Sequence, residues 1–219
     1  MQNLSDNALS ILLQQYLETE KNLTEKQKNI LKAAVAVFSE KGFAGASTSE
    51  IAQKAGVAEG TIFRHYKTKK ALLFSIVSPT IVGLGAPIVL KDFESILEKQ
   101  YVDFADFLRT IIKDRFEFIK NNQAILKIIA NEISFHLELQ QMVKEILTTR
   151  IMTKIQLAIE YFQEQGEIVL LPYETIARLI FSTIAGYAVT RFLISPNQDW
   201  NDEQEIETMI EFLVKGLKT

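Results

Sequence analysis

Apolar positions between residues 24 and 76 recur at three- and four-residue spacing, in short runs broken by glycine or by small polar residues. Ile30, Leu31, Ala34, Val37 and Phe38 line one side of a segment that Thr24 opens and Gly42 stops, the pattern of an amphipathic helix with its punctuation. Ser47 and Glu50 follow at the spacing of a capping box, in which each side chain satisfies a backbone donor of the first turn. Ile51, Ala52 and Ala55 give that helix a small apolar face, and Gly56 ends it where a left-handed residue is needed. Val57 is predicted to fill the elbow. A second helix over Ala58–Tyr66 turns Ile62 and Phe63 inward and presents Glu59, Gly60, Thr61, Arg64 and His65 outward. Thr68 then caps a further helix carrying Leu72, Leu73 and Ile76.

The remainder reads as helices throughout, so the predicted fold class is all-α. Leu9, Leu12, Leu13, Tyr16 and Leu17 mark an N-terminal amphipathic extension over residues 1–23, expected to pack on the body or on a partner subunit. Residues 71–90 contain no charge, a length that matches a membrane span. Pro79, Gly83, Gly85 and Pro87 argue instead for the end of a helix followed by a buried connector, so no membrane association is expected. Beyond Asp92, helices are predicted at about 92–99, 102–120, 122–134, 137–165, 173–194 and 203–217. The expected organisation is the extension, a head at 24–75 and a body at 76–219.

Two short helices joined by a glycine turn, the second beginning with small residues and polar tips, suit a helix whose N-terminus enters a major groove. The segments ILKAAVAVFSEKGF and TSEIAQKAGVAEGTIFRHYKTKKALL also resemble the TetR family of bacterial regulators. Ala33, Ala34, Phe38, Gly42, Phe43, Thr48, Ile51, Ala52, Ala55, Gly56, Val57, Gly60, Thr61, Phe63, Tyr66, Lys69 and Leu72 carry that resemblance over about 45 residues. It implies an N-terminal three-helix helix-turn-helix domain, a C-terminal helical bundle that binds a ligand, and a homodimer. It also implies that His65, Tyr66 and Lys69 grip the DNA backbone. Ser47 and Thr48, at a helix N-terminus, are candidates for a phosphate. Ala58 stands where the family often has a capping serine. Lys70 replaces a customary acid and adds charge beside Lys67 and Lys69.

Composition sharpens this picture. A 47% hydrophobic content excludes a disordered chain. There is no cysteine, and His65 and His136 are the only histidines, so neither a disulfide framework nor a metal centre is expected. No nucleophile elbow, phosphate-binding glycine loop or paired-histidine motif is present, which argues against an enzyme and against a cofactor. The net charge of −3 is unevenly spread. Residues 21–75 hold ten Lys/Arg against four Asp/Glu, a charge of +6, and the rest of the chain carries −9. A basic head on an acidic body directs phosphate attraction to one place. Asp6 and the lack of a basic N-terminal region argue against a secretory signal, so a cytoplasmic address is expected.

In the body, Phe107, Ile111, Arg115, Asn131, Phe135, His136 and Tyr187 are candidates to line an effector site, whose apolar character would favour a lipophilic ligand. Small residues in the segment 173–194 permit close helix approach. Ile155, Ile159, Phe162, Ala177, Phe181, Ala185, Tyr187 and Ala188 are therefore candidates for the subunit interface. The function expected is a ligand-responsive transcriptional regulator, a repressor released from a palindromic operator. A helical carrier of lipophilic molecules is the alternative.

Overall fold

In the computed structural model, residues 14, 16–18, 20, 23–84, 101–146, 148 and 152–219 are described. The helix expected at 92–99, most of the N-terminal extension and the connector beyond residue 84 lie outside them. Among the described residues the helices are α1 (Glu25–Gly45), α2 (Thr48–Ala55), α3 (Glu59–His65), α4 (Lys69–Leu84), α5 (Phe104–Asn121), α6 (Gln123–Glu132), α7 (Leu137–Ile146), α8 (Met152–Glu164), α9 (Tyr173–Val189) and α10 (Asp202–Leu217). A π-helical turn, Thr190–Ile194, extends α9. The single helix expected over 137–165 is described as α7 and α8, with residues 147 and 149–151 undescribed between them.

The chain forms two compact units that do not follow its order. One comprises Met1–Leu84 and Asn121–Lys144, and the other Gly85–Lys120 and Glu145–Thr219. The head thus incorporates α6 and α7, although residues 121–144 fall within the expected body.

In the first unit α1 packs against α2, α4 and α6, and α2 against α3. Ile30, Leu31, Phe38, Ile51, Ile62, Leu72 and Ile76 are all buried. Leu73, Val77 and Ile81 are buried as well, so the uncharged stretch serves a protein core as far as it is described. Thr24 opens α1 with a full capping box, accepting from Gln27 N–H while the Gln27 side chain accepts from Thr24 N–H. At Gly42 the backbone leaves the helix with φ 71° and ψ 166°, a region essentially closed to residues with a Cβ. Gly56 ends α2 in the left-handed conformation, and its N–H and that of Val57 close onto the Gln53 and Ala52 carbonyls. Thr68 Oγ accepts from Ala71 N–H at 3.0 Å at the start of α4.

The second unit buries Phe104, Phe107, Leu108, Ile112 and Phe116 of α5 with Ile159 and Phe162 of α8, Ile176 of α9, and Ile206, Ile210 and Leu213 of α10. Its aromatic centre joins the Phe104, Phe107 and Phe162 rings at 5.1–6.2 Å, a separation at which ring pairs attract.

Candidate nucleic-acid interface

The helix α3 is displayed. Ile62 anchors it in the core with no exposed surface, while Glu59, Gly60, Arg64 and His65 are exposed and Thr61 is half-buried. Ala58 provides no side-chain cap. Instead the start of α3 is stitched to α2, where Thr48 Oγ donates to Glu59 Oε1 at 2.5 Å. A threonine hydroxyl has one proton, so in this arrangement it is directed to Glu59 rather than to a phosphate. Ser47 Oγ accepts from Glu50 N–H at 3.1 Å. Only half of the expected capping box forms, because the Glu50 carboxylate pairs with the Lys41 ammonium.

Several polar groups differ from the sequence expectation. Phe63, expected inward, is 45% exposed, whereas Tyr66, expected at the DNA backbone, is 8% exposed and its buried hydroxyl has no hydrogen-bond partner among the described residues. Burial, with Tyr16 nearby as a smaller cause, pushes the Tyr66 phenol up to about 12. The helical period puts either ring inside, and the seven-residue helix is too short for the pattern to decide between them. Lys69 is turned inward as well, its ammonium donating to the Phe43 carbonyl at 2.6 Å and the Ala46 carbonyl at 2.8 Å. The ammonium lies 4.5 Å from the Phe43 ring centre. Lys70 pairs with Glu138 at 2.7 Å and holds that carboxyl below its usual range. The extra cations beside Lys67 are therefore engaged within the unit.

Sequence reasoning missed the other partner of the Phe43 peptide. The buried Glu132, at the end of α6, accepts from Phe43 N–H at 3.3 Å. Lys69 and Glu132 thus satisfy the carbonyl and the amide of the residue that follows the break at Gly42. His136 Nε2 stands 3.4 Å from Glu132 Oε2, with its ring edge-on to Phe43 and Phe74. Nothing in the local sequence around Glu132 signals a contact 89 residues away.

Residues 30–76 match the family model described as bacterial regulatory proteins, tetR family, a span that contains α2, α3 and their turn. The chain belongs to the TetR family. It is 27% identical over 194 residues to YvkB, an uncharacterised HTH-type transcriptional regulator of Bacillus subtilis, covering 87% of this chain and 96% of that protein. It is 28% identical to the fatty acid metabolism regulator protein of the same organism, covering 88% and 95%. The solved structure of FadR from Bacillus subtilis in complex with stearoyl-CoA shares the fold, with a TM-score of 0.64 at 24% identity over 86% of this chain and 97% of that one. The TetR-family chain is accordingly a helix-turn-helix transcriptional regulator, of a family that is not enzymatic.

The candidates in the body of this TetR-family protein scatter. Phe107 is core, Ile111 packs against that core, and Arg115 pairs with Asp114 while lying 5.2 Å from the Phe118 ring centre. Tyr187 donates to Asp202 Oδ1 at 2.6 Å and stacks on Phe116. Burial, then that carboxylate, raises its phenol above the usual range. Asn131, Phe135 and His136 belong to the other compact unit, with Asn131 exposed and Phe135 79% exposed. Four of the seven thus fall in one unit and three in the other.

The interface candidates lie on α8 and α9, largely on their inner faces. Ile159, Phe162, Ala177 and Ala188 are buried, Ile155 and Tyr187 pack on the same core, and Ala185 is half-buried. Phe181 alone among them is well exposed, at 67%. Both sides of α8 and α9 are apolar, so periodicity did not separate the core side from the free one.

Proposed function

We propose that this regulator is a homodimeric repressor that leaves a near-palindromic operator when a long-chain acyl thioester binds its body. The observation that carries the DNA half is the displayed α3, held by Ile62 with its polar side outward. Two such helices, about 34–36 Å apart, would enter successive major grooves. Glu59, Gly60, Thr61 and Arg64 are the proposed base-side residues, with Ser47 and His65 beside the backbone. A protein doing this work resides in the cytoplasm with the chromosome.

The dimer is supported by apolar surface on two helices in contact. Leu157 and Tyr161 of α8 and Leu179, Phe181 and Val189 of α9 are exposed. Ser182 and Gly186 are exposed among them, and small residues there permit close approach. Helix Tyr173–Ile194 is long and apolar enough to cross a membrane by length and composition. A subunit interface accounts for the same apolarity.

The acyl class of effector is supported by the similarity to a fatty acid metabolism regulator of Bacillus subtilis and to the solved FadR of that organism in complex with stearoyl-CoA. A gel shift on DNA flanking the protein's own gene tests the whole reading. We expect retardation by two chains per half-site pair, released by micromolar stearoyl-CoA and unaffected by coenzyme A alone. Coupling of about 1–3 kcal/mol corresponds to roughly 5- to 150-fold weaker DNA binding. Absence of retardation overturns the regulator reading; retardation indifferent to the thioester overturns the effector.

A further inference from the structure

We propose that Glu59 selects cytosine in the operator, and that Thr48 holds it in position to do so. This rests on the reading of α3 as the base-facing helix. Glu59 is the first residue of α3 and Thr48 the first of α2, so the 2.5 Å hydrogen bond between them spans the turn of the motif. One carboxylate oxygen is fixed by Thr48. Among the described residues no other side chain is bonded to Glu59, which is exposed. The second oxygen is therefore left unbonded, among the described residues, on an anchored and exposed side chain. Ala58 makes no cap bond, and Gly60 has open space where a side chain would stand. The flank of the carboxylate is clear for the edge of a base pair.

Chemistry then restricts the base. An ionised carboxylate only accepts hydrogen bonds. Guanine and thymine show it acceptors in the major groove, O6 and N7 or O4, and repel it. Adenine offers its N6 amino group but sets its own N7 acceptor beside it, whereas cytosine offers the N4 amino group with no acceptor beside it on its own major-groove edge. With one oxygen held by Thr48, the other is left to accept from that amino group. A negative charge beside phosphates weakens binding wherever that donor is missing, so Glu59 discriminates by penalty as well as by attraction.

Selection from a randomised duplex library with the full-length protein tests this. The wild type should enrich cytosine at one position of each half-site. Glu59→Gln, whose amide can both accept from N6 and donate to N7, should move that position to adenine by about tenfold or more and leave the others unchanged. Thr48→Val should flatten the preference at that position only, a change that mere loss of stability does not produce. Identical enrichment by wild type and Glu59→Gln would overturn the assignment. Undiminished cytosine preference in Thr48→Val would overturn the role of Thr48. A library from which the wild type enriches nothing would overturn the DNA reading itself.

Discussion

Tyr66 is the residue at which the family pattern and the structure part most clearly. Its position suggests a hand on the DNA backbone, yet its hydroxyl is buried and has no hydrogen-bond partner among the described residues. Removing an unsatisfied buried hydroxyl is close to neutral or stabilising. Tyr66→Phe should therefore alter DNA affinity by less than about threefold, under about 0.7 kcal/mol, as measured by fluorescence anisotropy. The same variant should resist alkali better. The Tyr66 phenol is raised from 10.0 to about 12, so the fold favours its neutral form. That contribution is complete below pH 10 and is lost as pH rises toward 12, and thermal melts across that window should show the variant losing less stability than the wild type. The turn glycine Gly56 and the anchor Ile62 were legible because backbone chirality and burial each leave one solution. Phe63 and Tyr66 were not, since both are aromatic and a short helix carries too few turns to define its inner face.

At the scale of elements, the break at Gly42 shows what local sequence can and cannot convey. Glycine signals that the helix stops, and the structure places it at φ 71°, ψ 166°. The charged groups that finish the break come from elsewhere, Lys69 from α4 and Glu132 from α6. Glu132→Ala should cost about 1–3 kcal/mol in denaturant unfolding because it strands the buried Phe43 amide. Glu132→Gln, which keeps an acceptor, should recover most of that loss. Equal losses in the two variants would mean that the charge, with His136 beside it, matters more than the hydrogen bond. Residues so far apart in the chain are joined by the fold rather than by any periodic pattern, which is why Glu132 was illegible. Helices α5 and α10 were legible because each repeats one apolar side for three turns or more.

For the whole molecule, the division of charge, the displayed α3 and the apolar outer face of α8 and α9 support a single account: a TetR-family regulator whose paired heads read DNA. Most of the interface candidates are spent on the chain's own core, and the sequence could not separate them from the exposed apolar residues because both helices are apolar all round. Amide hydrogen exchange on the full-length protein, alone and saturated with DNA flanking its gene, tests the account most directly. It predicts that DNA slows exchange chiefly within residues 47–66, across α2, the turn and α3. Unchanged exchange there, with protection falling on some other segment instead, would contradict it.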